Sequence, residues 1–207
     1  MVGQDKAVSR LRNIAERAGV GGRAFWLTGP SGTGKTTLAR IIASSLQGAR
    51  VHEFRCADEL TAAEVSDIDR AYHLAQRGLF ASPTAIIVNE AHGLNSKQVR
   101  QLLGLLEPIP ASFVWVFTTT WAGQNWLEDA QIDASALLSR CVGQEPIRLT
   151  NQGLAEAFAK SFRERAVREG VDGMPPEWYL KAAKESKNNG RGLWQKIEER
   201  YLTGGEA

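Results

Sequence analysis

Gly29-Pro30-Ser31-Gly32-Thr33-Gly34-Lys35-Thr36 carries the most specific chemistry in the sequence. It fits the pattern G-x-x-x-x-G-K-[ST], a backbone cradle for the phosphates of a nucleotide triphosphate. Glycines let the chain wrap closely with its N–H groups turned inward. A helix opening behind the loop adds the positive end of its dipole. Lys35 then reaches the β- and γ-phosphates, Thr36 offers its hydroxyl to Mg²⁺, and Thr37 completes the segment. A second constellation is Ile86-Ile87-Val88-Asn89-Glu90-Ala91-His92, an apolar run ending in polar residues. In a doubly wound sheet such a strand end lies beside the phosphate loop. Glu90 is the candidate general base that polarises an attacking water. Asn89 is paired with Thr36 as a candidate metal-site residue, but it brings an amide oxygen where Mg²⁺ prefers a carboxylate.

These residues need strands and helices to hold them. Ala7, Val8, Leu11, Ile14, Ala15 and Ala18 recur at helical spacing, stopped by Gly19 to Gly22. Ala24 to Thr28 reads as a buried strand, and Leu38, Ile41 and Ile42 mark a helix ending near Gly48. Val51 to Phe54 is a second strand. Thr61 and Glu64 have capping-box spacing before a helix with Val65, Ile68, Tyr72 and Ala75 on one stripe. Ala85 to Val88 is a third strand. Ser96 is expected to cap a helix with Val99, Leu102, Leu103 and Leu106, halted by Pro108 and Pro110. Phe113 to Phe117 is a fourth strand, Ala134 to Arg140 a short helix, and Val142 to Leu149 a fifth strand.

Alternating strands and helices imply a five-stranded parallel sheet in an α/β domain with helices on both faces. Beyond Leu149 three helices are expected, around Leu154 to Val167, Trp178 to Ala183, and Leu193 to Ile197. The expected domains are 1–149, a nucleotide-binding α/β unit, and 150–207, a small helical lid.

Composition narrows the rest. No apolar run approaches the roughly 18–20 residues of a bilayer span, and the N-terminus lacks a signal-peptide stretch, so a cytoplasmic protein without membrane contact is expected. With 25 basic and 23 acidic residues, the net charge of +2 does not by itself argue for nucleic acid. Cys56 and Cys141 lack metal-ligand spacing and are expected as plain thiols in a reducing compartment. His52, His73 and His92 do not cluster by spacing and read as ordinary structural or surface residues.

The order of these pieces resembles an AAA+ ATPase of the clamp-loader clade, which includes the replication factor C small subunits and the bacterial clamp-loader motor subunit. Val2-Gly3-Gln4 resembles the segment that lies by the adenine. Ala91 to Leu94 and Leu102 to Pro108 resemble the clade's run after the acidic strand end. Phe113 to Thr119 resembles its first sensor strand, Leu138-Ser139-Arg140-Cys141 its Ser-Arg-Cys motif, and Gly190-Arg191-Gly192-Leu193 the start of its second sensor helix. The resemblance covers nearly the whole chain, and the Ser-Arg-Cys motif is its discriminating piece.

It implies ATP and Mg²⁺ as ligands, Thr119 as a sensor of the γ-phosphate or water, Arg140 as an arginine finger for a neighbouring subunit, and Arg191 as a phosphate sensor. It also implies neighbouring AAA+ subunits, homo- or hetero-oligomeric, with DNA and a sliding clamp as partners. Lys97 and Arg100 become candidate DNA phosphate contacts.

Three departures stand out. Asn89 replaces the clade's usual aspartate, which raises the alternative of a nucleotide-gated scaffold with little turnover. The stretch Trp121 to Asp133 is longer than usual, and its Trp121 and Trp126 are expected to form a local core. No helical collar follows, which the resemblance reads as a fragment or a minimal subunit. A Holliday-junction motor is a third reading; the Ser-Arg-Cys motif and the lack of a C-terminal DNA-binding domain count against it.

Overall fold

The computed structural model describes residues 2–78, 82–120, 134–144 and 146–204. Trp121 and Trp126, with their expected local core, lie outside them. The chain divides into two compact units: residues 9–29 with 35–148, and residues 1–8 and 30–34 with 149–207. The first eight residues and the tip of the phosphate loop therefore group with the C-terminal helices.

The first unit is built on a parallel sheet. Helix α1 (Asp5–Ala18) enters it, and β1 (Arg23–Thr28), α2 (Lys35–Ser44), β2 (Arg50–Phe54), α3 (Ala62–Gln76) and β3 (Thr84–Val88) follow. Helix α4 (Ser96–Leu106), β4 (Phe113–Thr119), α5 (Ala134–Ser139) and β5 (Ile147–Arg148) complete it. The strand order is β2-β3-β4-β1-β5, with every pairing parallel. All seven residues of β4 are buried, as expected of a central strand covered on both faces. Strand β2, at the edge, buries only Phe54.

Alternation sorts the side chains between the faces. Trp26, Ile86, Val88, Phe113, Trp115 and Phe117 join residues of α3, α4 and α5 in one apolar cluster. Helix α2 packs on the opposite face, along β4, β3 and β1. Within the cluster, the Trp115 indole N–H donates to the Tyr72 hydroxyl, which pairs the polar atoms of these two buried rings. The Trp26 and Phe117 rings stack at 5.3 Å. This packing fixes the ends of β3 and β4, where the polar residues sit.

Two local expectations are corrected. Asn95, not Ser96, caps α4: its side-chain oxygen accepts from the Lys97 and Gln98 amides, and Gln98 returns a bond to the Asn95 N–H. Ser96 is already the first helical residue, so the capping position falls to Asn95. Val142 to Leu149 is not one strand. Val142–Gln144 is a single 3₁₀ turn with Gly143 at φ 80°, and the strand is only Ile147–Arg148. The left-handed turn breaks the extended run, and Pro146 has no N–H to give the ladder.

The second unit holds α6 (Ala155–Glu169), α7 (Pro176–Glu185) and α8 (Gly190–Leu202). Gly170 at φ 69° ends α6, Pro176 opens α7, and the Asn189 side chain caps α8. Phe158, Ala166, Tyr179, Ala183, Leu193 and Ile197 form its core, with Val2 packed against it. Gln4 pairs twice with Thr150, donating to its carbonyl at 2.6 Å and accepting from its N–H at 3.1 Å. Among the described residues, no helix is long and apolar enough to cross a membrane.

Candidate nucleotide site

Helix α2 opens at Lys35, directly after the phosphate loop in sequence, and its first turn carries the positive end of the helix dipole. Gly32 and Gly34 hold φ of 74° and 92°, in the left-handed region that a side chain disfavours. Lys35 is only 7% exposed, and its ammonium donates to the Gly29 carbonyl at 2.8 Å. A nearly buried cation at a helix N-terminus suits a phosphate, which supplies stronger acceptors than a carbonyl. Thr36 is half-buried, Thr37 exposed.

Asn89 leaves the end of β3 into a tight polar network. Its Oδ1 accepts from Thr36 Oγ1 at 3.1 Å and from Thr118 Oγ1 at 2.9 Å. Its Nδ2 donates to Glu53 Oε1 and to the Phe54 carbonyl, both at 3.1 Å. Glu53 in turn accepts two bonds from Arg40, at 2.8 and 3.0 Å. That guanidinium, before the Asn89 amide, holds the Glu53 carboxyl below the usual carboxylate range.

Glu90 follows in the left-handed region, at φ 49°. Such a conformation is costly for a residue with a side chain and is characteristic of functional sites. Its carboxylate lies 3.4 Å from His92 Nδ1, and the same nitrogen lies 3.2 Å from Thr119 Oγ1. Thr119, at the buried end of β4, pairs in register with Thr28 of β1. The fold thus brings Lys35, Thr36, Asn89, Glu90 and Thr119 to the C-terminal ends of neighbouring parallel strands, where doubly wound sheets bind ligands.

Spacing alone missed Glu53, Thr118 and His92. Glu53 is the outward-facing acid of an edge strand, and only the β2–β3 register, Glu53 opposite Ile87, brings it near Asn89.

Among the described residues no three His, Cys, Asp or Glu gather as a metal cage. The Thr36 hydroxyl and the Asn89 oxygen form a neutral oxygen pair. That donor set fits Mg²⁺ held mainly by phosphate oxygens and water.

Arg140 is three-quarters buried. It donates to the Ala136 carbonyl at 2.9 Å and pairs with Glu107, just past α4 in its own chain. Cys141, beside it, is buried, and burial pushes its thiol up to about 12. Lys97 and Arg100 are both exposed, three residues apart on α4.

In the second unit, the Gly190 N–H donates to the Gly32 carbonyl at 3.2 Å. A Cβ on Gly32 would overlap the Asn189 side chain, a second reason for glycine there. Thr33 Oγ1 donates to the Pro30 carbonyl at 2.8 Å, and Pro30 and Ser31 are exposed. Arg191 is exposed in the first turn of α8.

A parallel β2-β3-β4-β1-β5 sheet with its phosphate loop after β1 defines a P-loop nucleotide-binding fold. The chain belongs to the ATPase family associated with various cellular activities (AAA), whose family model matches residues 25–150. It is 40% identical over 85 residues to chromosome transmission fidelity protein 18 of Schizosaccharomyces pombe, covering 41% of this chain and 9% of that one. It is 29% identical over 143 residues to DNA polymerase III subunit gamma/tau of Mycobacterium tuberculosis, covering 58% and 25%. The chain therefore spans a quarter or less of the length of these curated relatives. These similarities agree with the clamp-loader clade to which the Ser139-Arg140-Cys141 run points. A Thermotoga maritima RuvB mutant superimposes with a TM-score of 0.69 at 22% identity, covering 100% of this chain and 65% of that one. NtrX from Brucella abortus, solved with ADP, gives 0.66 at 15% identity over 98% and 51%. At these identities the structural matches establish the fold alone.

Proposed function

We propose that the chain is an ATP-hydrolysing subunit of an oligomeric AAA+ assembly that acts on DNA or a sliding clamp in replication. The observation that carries this reading is the placement of Lys35, Thr36, Asn89, Glu90 and Thr119 at one end of the sheet. The names of its relatives, a DNA polymerase III subunit and a chromosome transmission fidelity protein, support a role in DNA metabolism. The reading assigns residues 1–149 to nucleotide binding and 150–207 to a lid.

In this reading Gly29 to Thr37 wrap the phosphates, and Lys35 exchanges the Gly29 carbonyl for phosphate oxygens. Thr36, with Asn89 behind it, would hold Mg²⁺, which would supply positive charge to the phosphates. Glu90 accepts the proton of the attacking water, and Thr119, touched by the same histidine as Glu90, orients that water. Arg140 completes the charge around the γ-phosphate of a neighbouring subunit, either another copy or a related chain. The role of Arg191 as a phosphate sensor, of Val2 at the adenine and of Lys97 and Arg100 on DNA belong to the same proposal and rest on the resemblance.

A second reading, tight ATP binding with little turnover, is favoured by the neutral Asn89. The ATPase rate per chain, followed against protein concentration with and without primed DNA, separates the two. The proposal expects the rate per chain to rise with concentration and again with DNA. A rate independent of both overturns it, and tight binding with negligible phosphate release at every concentration selects the second reading.

A further inference from the structure

We infer that Glu53 is the positioning residue of the metal site, and that position 89 of this chain is built around an amide rather than awaiting a carboxylate. The side-chain carboxylate that the strand end lacks at Asn89 stands instead on β2, where it accepts from Asn89 Nδ2 at 3.1 Å.

The orientation of the Asn89 amide follows from its neighbours. Glu53 Oε1 and the Phe54 carbonyl can only accept, so the group facing them must be the NH₂. The oxygen is then turned toward Thr36 and Thr118, whose hydroxyls donate to it. Flipping the amide would set an oxygen against two acceptors. Asn89 is 7% exposed, so water offers little relief. Glu53 is itself held by both guanidinium bonds from Arg40, which keep it aimed at Asn89. Arg40, Glu53, Asn89 and Thr36 thus form one chain of hydrogen bonds, each fixing the next, and its far end is the hydroxyl assigned to Mg²⁺.

Substituting aspartate at position 89 gives a specific consequence. Its second oxygen would take the place of Nδ2, 3.1 Å from a carboxylate and from a carbonyl. The change that restores the clade's usual residue therefore puts two like charges in contact. The like-charge contact is relieved when residue 53 can donate, as glutamine does, while the Phe54 carbonyl remains an acceptor facing the new oxygen.

The inference rests on the nucleotide-site reading, but half of its test needs no nucleotide. Thermal unfolding of the nucleotide-free full chain is measured for wild type, Asn89→Asp, Glu53→Gln and the double variant. Asn89→Asp is expected to melt roughly 5 °C lower, and Glu53→Gln combined with it to regain at least half of that loss. The second arm is calorimetric binding of a non-hydrolysable ATP analogue to wild type, Glu53→Ala and the double variant, in Mg²⁺ and in EDTA. Losing a hydrogen-bond partner behind a metal ligand costs about 10-fold or more in metal affinity. Glu53→Ala should lower the Mg²⁺ enhancement by about that factor, with binding in EDTA preserved; the double variant should match or exceed wild type. Asn89→Asp melting at or above wild type with Glu53 in place, or an undiminished Mg²⁺ enhancement in Glu53→Ala, overturns the inference. Failure of wild type to bind the analogue at all would instead overturn the nucleotide-site reading.

Discussion

Arg140→Ala is expected to lower ATP hydrolysis by about 10³-fold, the scale on which an arginine finger acts in phosphoryl transfer, while leaving the ATP dissociation constant within about a factor of two. The split follows from the role proposed for the guanidinium. It meets charge that develops in the transition state, on a nucleotide its own chain does not hold, so ground-state binding to that chain does not draw on it. Within its own chain one nitrogen of the guanidinium donates to the Ala136 carbonyl and another pairs with Glu107. To meet a neighbour's phosphate with that nitrogen, the guanidinium exchanges the Glu107 carboxylate for phosphate oxygens, one charge-assisted pair for another. Lysine has neither the planar fork nor the five donors, so Arg140→Lys should recover only a small part of the lost rate. The check is steady-state phosphate release, with affinity by titration, at protein concentrations where the wild-type rate per chain has reached its plateau. A rate within threefold of wild type for Arg140→Ala would remove the finger assignment.

Glu90→Gln is expected to cut turnover by roughly 10²–10⁴-fold, the usual worth of a general base, and again to spare binding. Glutamine keeps the size and the acceptor oxygen of glutamate but cannot take a proton from water. It should also keep the fold, because both residues bear a side chain of the same length at the left-handed φ of 49°. The neighbouring contacts sharpen the expectation. His92 Nδ1 lies near both the Glu90 carboxylate and the Thr119 hydroxyl, so the proposed base and the proposed sensor share a neighbour. The variant should accumulate bound ATP rather than ADP when incubated with Mg²⁺ and analysed after rapid separation. Recovery of mainly ADP at the wild-type rate would assign the base elsewhere.

Most of the sheet could be read from residue types. Runs such as Ala24 to Thr28 and Phe113 to Phe117 are apolar without alternation, which only strands covered on both faces need. The phosphate loop was legible because its glycines, lysine and threonine act through contiguous backbone, so spacing is the mechanism. The fifth strand was over-extended because hydrophobic pattern does not weigh one proline and one left-handed glycine, here Pro146 and Gly143. The partners of Asn89 were hidden for another reason. Glu53 and Thr118 are 36 and 29 residues away, and they meet it only through the register of β2, β3 and β4. Nothing local in the sequence encodes that register. The bond from the Gly190 N–H to the Gly32 carbonyl joins residues far apart in the chain, and no local pattern announces it.

Isothermal titration of Mg·ATP into the wild-type chain and into Lys35→Ala tests the account most directly. Lys35 is the nearly buried cation at the start of α2, and its ammonium donates to the Gly29 carbonyl. The account predicts one site per chain in wild type and an affinity at least 100-fold weaker, about 2.7 kcal/mol, in the variant. Equal affinity in the two proteins, or no binding by wild type, would contradict it.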